Sequence, residues 1–122
     1  MKNQLVIGLA SLFILVFTSS CHYDEVLPQV VELPDEPQSY ATDIQPFFEA
    51  KCNACHGGSI PPNLSASVSY SELISGNYID TSNPASSPLY TSIDIGGSME
   101  TYATPSERAM VLAWIEQGAP DN

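Results

Sequence analysis

Five consecutive residues, Cys52-Asn53-Ala54-Cys55-His56, constrain this chain more than any other feature of its sequence. The spacing of three places the two thiols about one helical turn apart, and it places an imidazole directly after them. This C-x-x-C-H pattern is typical of c-type haem attachment, in which each thiol adds to one vinyl group of the porphyrin. The histidine then serves as the proximal ligand of the iron. We therefore predict one covalent haem c, held by Cys52, Cys55 and His56.

Three other uses of the motif are weaker. A structural zinc site needs four ligands, and the sequence contains no second cysteine pair and no nearby histidine. A dithiol redox motif would require a βαβ context, which the sequence does not indicate. A structural disulfide between Cys52 and Cys55 would leave His56 without a role.

The first twenty residues have the pattern of a secretory signal peptide. Lys2 supplies a basic start, and residues 5–17 form an apolar run of 13 residues, LVIGLASLFILVF. That run is shorter than the roughly 20 residues that cross a bilayer as a helix, and it fits the apolar region of a signal peptide. A buried core helix is the alternative, but the run has no amphipathic period. We predict that residues 1–20 are a signal peptide of the lipoprotein type.

Small residues precede the first cysteine in Thr18-Ser19-Ser20-Cys21. This stretch resembles a bacterial lipoprotein cleavage site, in which the cysteine becomes the first mature residue and is lipidated. Ordinary cleavage after Ser20 is the competing interpretation, because Thr18 stands where such sites usually carry an aliphatic residue. Several acyl chains on Cys21 would give stable anchoring. We expect an exported, membrane-anchored protein that faces the periplasm or the cell surface.

Charge and proline content distinguish a tether at residues 21–39 from the domain that follows it. The chain carries 14 acidic and 3 basic residues, a net charge of −11, which argues against nucleic acid and anionic membrane surfaces as partners and favours basic protein surfaces. Residues 21–39 contain Pro28, Pro34 and Pro37 among unpaired acidic residues, a composition that predicts an extended acidic tether. A short docking strand at residues 26–31 is the alternative.

Residues 40–122 predict one small all-α domain, because strand signals are poor throughout. A core of this size usually needs a staple, a role that the haem would fill. The local signals indicate a first helix from Thr42 or Asp43 into the cysteine motif and a second helix over Ser69–Ser75. A third helix is predicted after Ser86 or Ser87, with Pro88 in its first turn. The last helix is predicted to begin at a Thr104/Glu107 capping box and to end at Gly118. Residues 57–68 and 94–103 are predicted loops.

The second axial ligand of the iron is predicted to be a methionine. After signal removal the chain retains Met99 and Met110. Met110 falls on the apolar stripe of the last helix and is expected in the core, whereas Met99 follows Gly96-Gly97-Ser98 in a loop whose glycines let backbone approach a flat cofactor. The alternative is an exposed Met99 and a site that is open or bis-histidine. Ligation by His56 and Met99 would favour electron transfer over ligand chemistry.

Five short patterns between Tyr40 and Asn122 together resemble the small monohaem class I type cytochromes c, in the variety found as bacterial exported or lipoprotein domains. They are I-x-P-F-F-x-x-x-C-x-x-C-H at residues 44–56, Pro62-Asn63-Leu64, N-P-x-x-S-P-L-Y at residues 83–90, the Met99 loop, and W-I-x-x-G-A-P at residues 114–120. They occur in the order found in that family. The resemblance implies a cytochrome c-like fold of three to five short helices around the haem, with long loops.

The resemblance also assigns roles to individual residues. The first and last helices would cross, with Phe47 or Phe48 against Trp114 or Ile115. The carbonyl of Pro62, or of Pro61 in its place, would face the second ring nitrogen of His56, and Leu64 would pack on the haem. Many relatives carry a proline directly after the distal methionine, whereas this chain has Glu100.

The function that these features predict is that of a membrane-anchored electron carrier, not an enzyme, since no residue is a plausible acid–base catalyst. Electrons would pass through the haem edge near Cys52 and Cys55. Asp94 and Glu100 beside the Met99 loop would attract a basic redox partner. Three alternatives stay open: an open-site haem protein that senses gas or acts on peroxide, a haem relay subunit of a larger oxidoreductase, and a haem-free lipoprotein adaptor.

Overall fold

The structure, a computed structural model, describes residues 31–122 of the chain. The predicted signal peptide, the lipidation site Cys21 and the first part of the tether lie outside the described residues. All regular secondary structure in this range is helical, which confirms the all-α prediction. Among the described residues, no helix has the length and apolarity needed to cross a bilayer.

Residues 31–122 form five α-helices and three short helical turns. The α-helices are α1 (Gln45–Lys51), α2 (Asn53–His56), α3 (Ser69–Ser75), α4 (Pro88–Ile93) and α5 (Pro105–Glu116). A π-helical turn, Tyr40–Ile44, leads directly into α1, and 3-10 turns lie at Pro84–Ser86 and Glu100–Tyr102. The predicted second and third helices are confirmed within one residue.

The first helical segment begins earlier than the sequence predicts. Ser39, not Thr42 or Asp43, caps it: the Ser39 hydroxyl accepts from the Thr42 amide at 3.3 Å, and the Asp43 carboxylate accepts from the Ser39 amide at 2.8 Å. This reciprocal arrangement satisfies two amides that the helix itself leaves unpaired. The segment is then interrupted at Cys52, which separates α1 from α2.

The last helix has the boundaries that its capping residues predict. Thr104 accepts from the Glu107 amide at 3.3 Å, while the Glu107 carboxylate accepts from the Thr104 amide at 2.7 Å. After Glu116 the chain passes through Gly118, whose φ of +93° suits glycine, and the Ala119 amide donates back to the Trp114 carbonyl at 2.9 Å.

The hydrophobic core joins the start of the domain to α5. Phe47, Phe48, Trp114 and Ile115 are buried in one cluster, and the ring of Tyr40 lies near two of them, with centroids 6.5 Å from Phe48 and 5.4 Å from Trp114. The π-helical turn thus contacts α5 through Tyr40, whereas the resemblance implied Phe47 or Phe48, which lie in the same buried cluster as Trp114 and Ile115.

The final residues of the predicted tether contact the domain. Gln38 is buried, and its main-chain amide donates to Oε1 of Gln117, just beyond α5, at 2.7 Å. The amide of Ala41 donates to the Asn122 carbonyl at 2.9 Å. The point at which the chain enters the domain is therefore fixed beside the end of α5.

Candidate functional site

One cavity of about 460 Å³ is lined by all six residues that the sequence analysis assigns to a cofactor. They are Cys52, Cys55, His56, Pro62, Leu64 and Met99. The rest of the wall is mainly apolar and comes from α1, α4 and the loops after α2, α3 and α4. A mostly apolar cavity of this size with a few convergent polar groups is typical of a cofactor site.

The two thiols differ in their surroundings. Cys52 is half-buried at the junction of α1 and α2, whereas Cys55 is exposed, and both are free. Burial, aided by the nearby Glu107 carboxylate and opposed by Lys51, raises the pKa of the Cys52 thiol from 9.0 to about 11. Cys52 therefore stays protonated at neutral pH.

The imidazole of His56 is oriented by backbone carbonyls of the loop after α2. Its Nδ1 lies 3.1 Å from the Ile60 oxygen and 3.3 Å from the Pro62 oxygen. A carbonyl can only accept, so this contact places the proton on Nδ1 and leaves the lone pair of Nε2 free for a metal. The loop itself is fixed by the Leu64 amide, which donates to the His56 carbonyl at 2.7 Å.

The Pro62 carbonyl lies near Nδ1 of His56, as the resemblance implied, but the Ile60 carbonyl lies closer and was not predicted. Side-chain identity carries little information about the direction of a main-chain carbonyl, so no sequence signal could have identified Ile60. Leu64, which is buried, lines the cavity beside this loop.

Met99 lies in the loop between α4 and α5, and its side chain is 36% exposed. Its amide donates to the Ser92 carbonyl at 2.7 Å. A Cβ at Gly97 would lie 2.3 Å from the carbonyl oxygens of both Thr91 and Ser92, so only glycine permits this close passage of the loop over α4. Met110 packs against the core and does not line the cavity.

Charged and polar groups at the cavity are few. Lys51 contributes to its lining and pairs with Glu107 at 3.8 Å, and Tyr102 lines it with half of its side chain exposed. In residues 31–122, no three His, Cys, Asp or Glu side chains are grouped to hold a metal, so the ligand set of a structural zinc site is not assembled there.

Comparisons of this chain with protein-family models, curated proteins and solved structures find no match. The function is therefore inferred from the residues at the cavity. They bring together one oriented imidazole, one thioether sulfur and two thiols on an apolar surface.

Proposed function

We propose that this chain is a c-type cytochrome, a small all-α domain with a cytochrome c-like fold that binds one haem c and carries single electrons between redox partners. The observation that carries the proposal is the shared cavity of the C-x-x-C-H motif and Met99. Met99 lies 43 positions after His56 in the sequence, so the fold, not proximity along the chain, brings them to one cavity.

The donor set suits haem c. Cys52 and Cys55 would hold the porphyrin by thioether bonds, in which each S–H adds across a vinyl double bond, the sulfur to one carbon and the hydrogen to the other. His56 would offer Nε2 to the iron and Met99 its sulfur. When bound, haem supplies the one-electron chemistry of ferric and ferrous iron.

The protein environment of His56 supports the ligand role. Because the Ile60 and Pro62 carbonyls accept from Nδ1, the ring is held in the tautomer that a metal ligand needs. A histidine that ligates a metal through one ring nitrogen usually donates a hydrogen bond from the other, as Nδ1 does here.

Ligation by both His56 and Met99 favours electron transfer over gas sensing or peroxide chemistry, since it leaves no open position on the metal. Met99 lines the same cavity as His56, and the other mature-chain methionine does not. This contrast favours the carrier over the open-site alternative.

The remaining features concern location and partners. A signal peptide over residues 1–20 and a lipidated Cys21 would place the domain outside the cytoplasm on a membrane, where covalent haem attachment also takes place. The net charge of −11 would favour redox partners that have basic docking surfaces. A role as the haem relay of a larger oxidoreductase would use the same site, and co-purification with a dehydrogenase or reductase would reveal it.

The deciding experiment is production of the full chain in a bacterial host that carries a haem c maturation system. We expect a red protein that retains haem after denaturation, in which the peptide that contains Cys52 and Cys55 is heavier by one haem and the two motif thiols do not react. The matched control is the Cys52→Ala/Cys55→Ala double variant, which should lack covalent haem. A colourless wild-type protein with free thiols would overturn the proposal.

Binding of carbon monoxide would distinguish the electron carrier from the open-site haem protein. We expect no change in the spectrum of the reduced protein on exposure to carbon monoxide, because the sulfur of Met99 would leave no open position on the iron. Rapid binding would instead assign the chain to the open-site class.

A further inference from the structure

The residue that follows Met99 departs from the family pattern, and the structure gives that residue a definite set of contacts. Glu100 stands where many relatives have proline. One oxygen of its carboxylate, Oε2, accepts from the Gly96 amide at 2.8 Å. The other, Oε1, lies 3.8 Å from Nη1 of Arg108 on α5. The same carboxylate therefore contacts the loop that carries Met99 and the last helix.

Arg108 depends on this carboxylate. Its side chain is only 13% exposed, and within the described part of the chain its shielded Nη1 has no hydrogen-bond partner. A shielded guanidinium is costly without a compensating negative charge. The other base of residues 31–122, Lys51, is paired with Glu107 instead. The Glu100–Arg108 ion pair is thus the charge compensation that the structure provides for Arg108.

The backbone of the Met99 loop (residues 95–99) is attached to α4. The Met99 amide donates to Ser92, and the Gly97 amide donates to the Asp94 carbonyl at 2.8 Å. Gly96, with a φ of +83°, adopts a conformation that suits glycine at the turn after α4. Glu100 acts at that point, because it accepts from the Gly96 amide while it faces α5.

From these contacts we infer that Glu100 and Arg108 are positioning residues that hold the Met99 loop against α5 and so keep the Met99 sulfur at the cavity. The inference rests on the proposed function. A proline after the methionine stiffens the backbone by fixing φ. Here an ion pair between two elements restrains the loop instead.

The test uses the haem-loaded full chain with the substitution Glu100→Gln. Glutamine keeps an oxygen that can accept from the Gly96 amide, but it removes the charge that faces Arg108. External imidazole is added to the ferric protein, and its displacement of methionine is followed by loss of the near-infrared methionine–iron band. We expect displacement to be about tenfold faster than in the wild type, the scale of a partly shielded ion pair.

The matched control is Glu107→Gln, which makes the same change of charge one residue from Arg108. Glutamine is compatible with the capping box, and Glu107 pairs with Lys51, so displacement should proceed at the wild-type rate. Arg108→Gln and the Glu100→Gln/Arg108→Gln double variant complete a cycle in which the two effects should not add. If Arg108→Gln fails to fold, the comparison of Glu100→Gln with Glu107→Gln decides by itself.

A wild-type rate in Glu100→Gln, or the same acceleration in both glutamate variants, would overturn the inference and leave the proposed function intact. Haem-loaded wild-type protein without a methionine–iron band would also overturn it, because Met99 would then not be a ligand. A wild-type chain without covalent haem would instead refute the proposed function.

Discussion

Nδ1 of His56 lies 3.3 Å from the main-chain oxygen of Pro62. The two residues are six positions apart, and the intervening loop is closed by the hydrogen bond from Leu64 to the His56 carbonyl. The imidazole is thereby oriented by backbone, which substitution of a single side chain would not remove. The free Nε2 is a consequence of the loop's path, of which the family resemblance implied only the Pro62 contact.

The first prediction concerns this tautomer in the haem-free chain. At a pH where the ring is neutral, nitrogen NMR should show the His56 proton on Nδ1, because two carbonyls accept there. A His22→Asn variant assigns the signals, since the chain has two histidines. A neutral His56 with its proton on Nε2 would contradict the arrangement.

The second prediction concerns the sixth ligand. In haem-loaded protein, Met99→Ala should abolish the near-infrared methionine–iron band and allow the reduced form to bind carbon monoxide, because the cavity loses its only methionine. Covalent attachment should persist, since Cys52 and Cys55 are unchanged. Met110→Leu, a nearly isosteric change in the core, should leave the band as in the wild type. A band that survives in Met99→Ala would remove Met99 from the ligand set.

The third prediction concerns the two thiols in the haem-free chain. At pH 8, iodoacetamide should alkylate Cys55 well before Cys52, because Cys55 is exposed and burial raises the pKa of Cys52 to about 11. Thiolate is the reactive form, so the Cys52 rate should rise steeply as the pH increases toward 11. Peptide mass spectrometry at timed intervals measures both rates, and urea-unfolded chain is the control, in which the rates should converge. Equal rates in folded protein would contradict the burial of Cys52.

The raised pKa of Cys52 also makes the stability of the haem-free fold depend on pH. Because the pKa of Cys52 is higher in the folded chain, the folded state binds more protons than the unfolded state between pH 9 and pH 11. The contribution of Cys52 to stability is therefore fully present below pH 9 and is lost as the pH rises through this window.

Features set by neighbouring residues could be predicted from the sequence, and features set by distant ones could not. Thr104, Glu107 and Pro105 mark the start of α5 within four positions, so local capping chemistry suffices. The cap at Ser39 was missed although it is also local. The π-helical turn that follows it does not have the usual spacing of an α-helical start.

At the site, too, local motifs could be predicted from the sequence, and contacts between distant residues could not. The C-x-x-C-H motif and Met99 could be proposed as the site by residue type, because few kinds of side chain would ligate a haem iron, and the structure places them at one cavity. The pairing of Glu100 with Arg108 joins two different elements, and a glutamate in an acidic chain gives no sign of a specific partner. The closer carbonyl on His56, that of Ile60, depends on how one loop turns.

The fourth prediction concerns a buried polar chain between the π-helical turn and α3. The Tyr40 hydroxyl donates to Ser69 Oγ at 2.6 Å, and Ser69 donates to Gln45 Oε1, with all three residues buried. Ser69→Ala would leave two buried polar atoms unpaired and should lower the free energy of unfolding by about 2–4 kcal/mol. Chemical denaturation of haem-loaded protein measures this.

The matched control for that substitution lies on the same helix. Ser71 is exposed and donates only to the Val68 carbonyl, so Ser71→Ala should change the free energy of unfolding by less than about 0.5 kcal/mol. Similar effects of the two substitutions would show that the Tyr40–Ser69–Gln45 chain contributes little to stability.

The fifth prediction concerns Gly97. An alanine there would bring its Cβ within 2.3 Å of two α4 carbonyl oxygens, so the loop must move away from α4 and carry Met99 with it. We expect Gly97→Ala to retain covalent haem and to lose most of the near-infrared methionine–iron band. Gly118→Ala is the control: its φ of +93° is unsuited to alanine, but it lies after α5, so the substitution should lower stability by about 1 kcal/mol and keep the band. A full band in Gly97→Ala would mean that Met99 reaches the cavity without the close passage over α4.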